Sequence, residues 1–358
     1  MKIGIINSGG DAQGTNAVIA SAVKHGLRLG HEFVGFIKGW EGLLDMDYVN
    51  LDRDAVRGIS HVGGTILYTT NKGRFAGKAG LGEKHQIPDD ILNLAKQNLA
   101  TLGVDVLLVI GGDGTLSGAA QLANLGVKVV GVPKTIDNDL AATDATYAFH
   151  TAVDIVVEAL DRIHTTAYSH NRAIFVETMG RHAGWIALNA GLAGGAHIIL
   201  LPELAFSYSR LVWAMKQRQT LGEKYSIIVV AEGAYAQNEG LTIDRAGDKS
   251  EVKLGGVSDQ IMHRIEQMSP DTFEMRNVIL GHVQRGGAPN AYDRVLSKSF
   301  GVAAVDAIHN KQFGTVVCLQ NNLIVPVALN DVVEKLKLVT TDNLLYQTAQ
   351  KIGIYFGT

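Results

Sequence analysis

Short apolar runs alternate with helical periodicity along this chain. Residues 3–6, 32–37, 104–110, 127–132, 172–176, 197–201, 226–231, 276–280 and 315–319 read as strands, most of them apolar almost throughout. Phe149, Val153, Val156, Leu160 and Ile163 recur at helical spacing and predict one amphipathic helix, while Ile19, Val23, Gly26 and Leu27 predict another. The strands lack the apolar–polar alternation of a half-exposed sheet, so both faces need covering. Strands of this kind alternating with helices imply an α/β fold with mainly parallel sheets. Ligands in such sheets bind beyond the carboxyl ends of the strands, and most of the glycine-rich polar segments fall there.

Composition narrows the picture. The 358 residues suggest about two domains. Hydrophobic residues at 46% and charged residues at 19% describe a soluble globular chain, and a net charge of −3 leaves no basic footprint for nucleic acid. A phosphate site must therefore come from a local cluster of Arg and Lys. Cys318 is the single cysteine, which excludes an intrachain disulfide and points to a reducing compartment. The N-terminus enters a strand at once with no signal-peptide pattern, and no apolar run is long enough to span a bilayer. The expectation is a cytoplasmic protein with no membrane contact. The 41 glycines concentrate at strand ends, where they read as loop chemistry. Residues 234–253 are polar and charged and read as an exposed excursion between a strand and a helix.

The candidate chemistry lies in those strand-end loops. Ser8-Gly9-Gly10-Asp11-Ala12-Gln13-Gly14-Thr15-Asn16 joins the first strand to the first helix. Its glycines let backbone N–H groups approach an anion at a helix start. It is not Gly-x-Gly-x-x-Gly, and no Walker-type loop occurs, so dinucleotide and P-loop readings lack their fingerprints. The plainer alternative is a tight turn capped by Asp11. Gly111-Gly112-Asp113-Gly114-Thr115 follows another strand. It suits a nucleotide phosphate with its metal, or Asp113 is a simple N-cap. Pro133-Lys134-Thr135-Ile136-Asp137-Asn138-Asp139 puts two carboxylates two residues apart. One suits a base that takes a hydroxyl proton and the second a sugar or metal ligand, against an Asx-turn around Asn138. Together these loops hold the main parts of a phosphoryl transferase.

Two further loops each carry an arginine in a glycine-rich strand end: Met179-Gly180-Arg181-His182-Ala183-Gly184 and Gly281-His282-Val283-Gln284-Arg285-Gly286-Gly287. A guanidinium there suits a phosphate. Arg172 and Arg276 begin the corresponding strands, at the far ends from those loops, where surface charge is the alternative. Glu232 ends another strand, with ion pairing as its alternative, and His282 reads equally as a packed histidine. No His/Cys set has zinc spacing.

These residues resemble the phosphofructokinase family. The motifs Ser8-Gly9-Gly10-Asp11-Ala12, Gly111-Gly112-Asp113-Gly114, Thr135-Ile136-Asp137-Asn138-Asp139, Met179-Gly180-Arg181 and the 281–287 loop occur in the family's order, and the match runs to about residue 324. The resemblance implies two Rossmann-like three-layer α/β/α domains with the active site in the cleft between them. Residues 1–148 plus 284–334 would bind the donor, and 149–283 plus 335–358 the sugar phosphate. It implies Asp137 as the base that activates the sugar 1-hydroxyl, with Thr135 and Arg181 assisting, and Asp113 as the Mg²⁺ residue. Gly10, Gly112, Asp113, Gly114 and Thr115 would cradle the donor phosphates. Thr135, Asp137, Asp139, Met179, Gly180, Arg181, Glu232, His282 and Arg285 would contact the sugar phosphate. Arg172 and Arg276 would reach into a neighbouring subunit's site, which makes a homo-oligomer, dimer or tetramer, part of the expectation.

The donor signature is mixed. ATP-using members carry glycine at the position of Gly114, where pyrophosphate-using members carry an aspartate that would occupy α-phosphate space. Lys134 stands where bacterial ATP enzymes have glycine and pyrophosphate enzymes have lysine. Either Lys72 or Arg74 answers to the family's donor-contacting arginine. Of the several arginines of the bacterial effector site two are replaced, by Ser21 or Ala20 and by His164, while Lys24 and Arg53 remain. The expectation is transfer from Mg-ATP to fructose 6-phosphate. Pyrophosphate is the alternative donor. An NAD or lipid kinase and a non-catalytic sensor are lesser readings that leave the 135–139 and 282–287 motifs or the paired carboxylates unexplained.

Overall fold

A computed structural model describes residues 1–75, 86–237 and 256–358. The polar excursion expected at 234–253 is described only as far as Gln237, and its remainder lies outside the described residues. The described strands are β1 (Lys2–Asn7), β2 (Glu32–Phe36), β3 (Tyr48–Asn50), β4 (Val106–Gly111), β5 (Val129–Pro133), β6 (Ala173–Thr178), β7 (Ile198–Leu200), β8 (Ser226–Ala231), β9 (Met275–Ile279), β10 (Thr315–Gln320) and β11 (Leu323–Ala328). The helices are α1 (Thr15–Arg28), α2 (Trp40–Asp45), α3 (Asp89–Leu102), α4 (Asp113–Asn124), α5 (Phe149–His170), α6 (Trp185–Ala193), α7 (Tyr208–Thr220), α8 (Val257–Met268), α9 (Ala291–His309), α10 (Leu329–Val332) and α11 (Leu344–Lys351). None of the described helices is long and apolar enough to cross a membrane.

The chain divides into two compact units, 1–136 with 140–151 and 285–336, and 137–139 with 152–284 and 337–358. Relative to the expected boundaries the first unit gains 149–151 and 335–336 and gives up 137–139 and Gln284. Two of the crossings fall inside motifs: 136 to 137 within Thr135–Asp139, and 284 to 285 within the 281–287 loop.

The first unit holds a seven-stranded sheet, ordered β11-β10-β5-β4-β1-β2-β3. Its five central strands are parallel, and β3 and β11 pair antiparallel at the two edges. Alternate residues of a strand serve opposite faces. Leu107 and Val109 join Leu43, Leu99 and Leu116 in the core under α2, α3 and α4. Leu108 and Ile110, equally buried, serve the face where α1 packs with α9. The second unit holds a four-stranded, all-parallel sheet, ordered β7-β8-β6-β9. Phe175, Ile228 and Val230 pack with Leu211 and Met215 of α7 and Ile261 and Ile265 of α8 on one face.

The nine expected strands all form, shifted by up to two residues. The two edge strands were not foreseen, for a physical reason. β3 has three residues, all exposed, and β11 carries Pro326 opposite Val317. β3 is too short and exposed to present a strand signal, and the apolar run of β11 is interrupted by a proline, which cannot donate to a ladder and is tolerated only at such an edge. On α5 the buried face is Phe149, Ala152, Val156, Leu160 and Ile163, so Ala152 takes the place expected for Val153.

Candidate active site

Within the first unit, the loop after β1 runs further than a tight turn. The helix starts only at Thr15, after Gly14 with φ 101°, and Asp11 caps nothing there. A Cβ at Gly14 would collide with Ser297 Oγ, so both conformation and space demand glycine. The loop is held by backbone bonds from Ser8 N to Ile110 O (3.2 Å) and from Gly9 N to Thr70 O (3.0 Å). The Arg285 guanidinium lies over Gly10, where a Cβ would come within 2.8 Å of Nη1, and Nη1 donates to Asp11 O at 3.1 Å. Arg285 thus belongs to the first unit and sits at the loop expected to cradle donor phosphates.

The second glycine loop lies beside it, on the adjacent strand β4. Gly112 precedes α4, Asp113 opens it, and Gly114 is exposed. A Cβ on Gly114 would meet nothing within 4 Å. Asp113 Oδ1 accepts from Glu334 N at 2.7 Å, and burial pushes its carboxyl above the ordinary range. Among the described residues no cluster of three or more His, Cys, Asp or Glu is placed to hold a metal. One hard carboxylate at a helix start beside a phosphate loop fits Mg²⁺, which takes one or two protein carboxylates and otherwise substrate phosphates. Thr135 O accepts from Thr146 Oγ1 at 2.7 Å, and Thr115 is buried in the first turn of α4.

Lys134 lies beneath the first loop. Its ammonium is buried and donates to Asn7 Oδ1 (2.9 Å) and Ser8 O (2.8 Å). Desolvation first, and the Arg285 charge second, lower its pKa to about 7. Arg74 is held on α2 by Glu41 (Nε to Oε2, 2.9 Å) and Asp45 (Nη2 to Oδ1, 2.5 Å). Lys72 stands on the exposed turn after Thr70, the residue whose carbonyl receives Gly9 N.

Within the second unit, the loops after β6, β8 and β9 meet at the carboxyl ends of those strands. Glu232 N donates to Thr178 O (2.9 Å), Gly233 N to Gly180 O (3.1 Å), Leu280 N to Glu177 O (3.1 Å), and Met179 N to Gln284 Oε1 (3.2 Å). Gly180 has φ 132° and closes on Ala183 O. Met179, Arg181, His182 and Glu232 are therefore brought together, with Arg181 half-buried and His182 made less basic by burial and by the Arg181 charge. His282 is exposed in a 3₁₀ turn (Gly281–Arg285), so the packed-histidine alternative fails. The Asp137–Asp139 segment turns through Asn138 in the left-handed region, φ 52°. Arg172 and Arg276 lie at the opposite, amino-terminal ends of β6 and β9, sharing Glu274: Arg172 Nε at 2.6 Å and Arg276 Nη2 at 3.2 Å.

Several residues at these loops escaped the sequence reading. Buried Glu177 accepts from Gly256 N (2.8 Å), Ser258 N (2.9 Å) and Ser258 Oγ (2.7 Å), capping α8. Glu203 Oε1 accepts from Gly184 N and Val339 N, both at 2.9 Å. A carboxylate closing an apolar strand, as at Glu177, is a signal that was there to be read. Lys337, which bonds to the 138–139 turn, sits in a stretch with no motif at all.

Comparison with known proteins agrees with the resemblance. The family model described as Phosphofructokinase matches residues 2–308. An ATP-dependent 6-phosphofructokinase 2 of Clostridium perfringens is 44% identical over 99% of this chain and 98% of its own. A pyrophosphate–fructose 6-phosphate 1-phosphotransferase of Streptomyces coelicolor is also 44% identical, over the whole of both chains. Among solved structures, Pichia pastoris phosphofructokinase in the T-state superposes with TM-score 0.78 at 32% identity; 92% of this chain is covered, spanning 35% of that longer one. A pyrophosphate-dependent phosphofructokinase of Marinobacter aquaeolei shares the fold at TM-score 0.80 and 18% identity, over 100% of this chain and 92% of its own. With the family model spanning most of its length and relatives at 44% identity end to end, the chain belongs to the phosphofructokinase family.

Proposed function

We propose that the protein transfers a phosphoryl group from Mg-ATP to the 1-hydroxyl of fructose 6-phosphate, giving fructose 1,6-bisphosphate in the cytoplasm. Backbone N–H groups at Gly10 and at Gly112, Gly114 and Thr115 receive the donor phosphates, with Lys72 at their edge. Mg²⁺, bound through Asp113, offsets phosphate charge. Asp137 takes the hydroxyl proton, while Asp139, Met179, Gly180, Glu232 and His282 orient the sugar. Arg181 and Arg285 offset charge on the transferring group, and Thr135 positions it. Such chemistry is mainly placement and electrostatics. Arg172 and Arg276 complete the sugar-phosphate site of a second copy in a homo-oligomer; their position at the strand ends away from the loops supports this reading.

The observation that carries the choice of donor is the open space at Gly114. A nucleotide needs that room for its α-phosphate, and pyrophosphate does not. Lys134, the residue that favours pyrophosphate, is turned inward onto Asn7 and Ser8. Pyrophosphate remains the second reading because a relative of that name is also 44% identical. Steady-state turnover of fructose 6-phosphate with Mg-ATP and with Mg-pyrophosphate, side by side, decides it: kcat/KM is expected to be higher with ATP. Preference for pyrophosphate would overturn the donor assignment, and turnover with neither would overturn the reaction.

A further inference from the structure

We infer that Lys337 is a positioning residue for the base Asp137, holding the Asp137–Asp139 turn and tying it to the loop that carries Arg181. The inference rests on the reading of Asp137 given above. Lys337 lies beyond residues 2–308 matched by the family model, in a segment of the second unit with no motif of its own.

The bonds run in one connected chain. Lys337 Nζ donates to Asn138 Oδ1 at 2.9 Å, and Lys337 N donates to Asp139 O at 2.8 Å. One residue thus grips the turn by side chain and backbone on the two positions that follow Asp137. Its carbonyl accepts from Trp185 Nε1 at 2.7 Å, and its ammonium lies over the Trp185 ring at 5.8 Å from the centroid. Two residues on, Val339 N donates to Glu203 Oε1, which also takes Gly184 N, the last residue of the Arg181 loop. Lys337 through Val339 therefore connects the turn bearing the base to the start of α6 and the loop before it.

The physical need is plain. Asn138 stands at φ 52°, a left-handed conformation that asparagine tolerates better than other residues with a side chain but that still has competing conformations. A two-carboxylate turn with no contacts to fix it samples several conformations, and any such change moves Asp137 with it. A misplacement of about 1 Å at a reacting group costs up to roughly 10²-fold in rate. The ammonium on Asn138 Oδ1 is a charge-assisted bond placed where it opposes that movement.

The test is a double-mutant cycle on the full-length protein. Lys337→Met keeps the aliphatic stem over Trp185 and removes the donor. It is expected to lower kcat roughly 10- to 100-fold while KM for ATP stays within about twofold, because the donor-loop residues are untouched. Lys337→Arg, which restores a cationic donor, is expected to recover most of the loss. In an Asp137→Asn background, Lys337→Met is expected to have no further effect, since there is no base left to position. Asn138→Gly removes the same bond from the other side while keeping φ positive, and serves if Lys337→Met does not fold. Full additivity with Asp137→Asn, or losses that follow falling thermal stability and affect all substrates alike, would overturn the inference while leaving the base intact. Near-normal turnover of Asp137→Asn alone would overturn the base assignment, and the inference would fall with it.

Discussion

The two units hold their loops by opposite chemistry. In the first, the Ser8–Asp11 loop is pinned through backbone bonds, overlaid by the Arg285 guanidinium and underlain by the buried Lys134 ammonium. In the second, carboxylates brace the region around β6, where Glu177 caps α8 and Glu203 ties Gly184 to Val339, and the Lys337 ammonium holds only the Asp137–Asp139 turn. The difference follows from what each loop is proposed to meet. A loop that receives polyphosphate cannot rest on buried carboxylates, because like charges in a low-dielectric site repel strongly. Of the two carboxylates in these loops, Asp11 and Asp113, Asp113 is the one proposed above to hold a cation. Loops whose ligand contacts are arginines face no such restriction, and a carboxylate at a helix N-terminus is favourable there.

The largest effect tests the acidic group of the second unit that is proposed to take a proton. Asp137→Asn is expected to lower kcat by about 10²–10⁴-fold, the usual loss for an acid–base group, with binding of fructose 6-phosphate and ATP largely kept. Pre-steady-state and steady-state kinetics check this. Near wild-type turnover would make Asp137 another structural carboxylate.

Placing a carboxylate on the other side of the comparison comes next. Gly114→Asp puts a negative charge beside Asp113 in space that no protein atom occupies within 4 Å of the new Cβ. Thermal stability is expected to hold. The kcat/KM for ATP is expected to fall by roughly 10²–10³-fold, from a repulsion of about 4 kcal/mol for unit charges 4 Å apart near a surface. Pyrophosphate, with no α-phosphate or nucleoside to place, is expected to lose less. Equal losses for both donors would mean that Gly114 does not sort them.

A brace is expected to cost stability and not chemistry. Glu177→Gln places an amide donor against N–H groups that now meet a carboxylate. A loss of about 2 kcal/mol in denaturant unfolding is expected, with kcat changed far less than by Asp137→Asn. A large kcat loss at unchanged stability would place Glu177 in the site itself.

The split between legible and hidden parts follows the same division. The glycine loops at strand ends were readable because glycine marks tight turns and close backbone approach, and nine strands were readable because burial on both faces leaves continuous apolar runs. What holds the second unit's loops was not. Glu203, Gln284 and Lys337 act through partners 19, 105 and 199 positions away, and a hydrogen bond at that range leaves no period or motif. Lys134 was visible but its direction was not. The family resemblance suggested a donor contact, whereas Asn7 and Ser8 receive the ammonium. Arg285 was assigned to the sugar phosphate by motif, and it lies over Gly10.

The smallest effect probes that buried ammonium. Its folded pKa is about 7, against 10.5 ordinarily, with desolvation the largest cause. Below pH 7 both folded and unfolded chains carry the proton, and the full cost of burying the charge falls on the folded state. Between pH 7 and 10.5 the unfolded chain binds more protons than the folded one, so stability from this group rises with pH across that window. Lys134→Met has no proton to lose. Its stability relative to wild type is therefore expected to be most favourable at pH 6 and to decline by about 1 kcal/mol by pH 8. The unsatisfied Asn7 Oδ1 and Ser8 O add a penalty that does not vary with pH. Unfolding of both proteins without donor at pH 6, 7 and 8 checks the slope. A difference independent of pH would mean that Lys134 keeps its charge throughout. The contrast between a cation-braced and a carboxylate-braced unit would then hold in a stronger form, with a permanent positive charge beneath the phosphate loop.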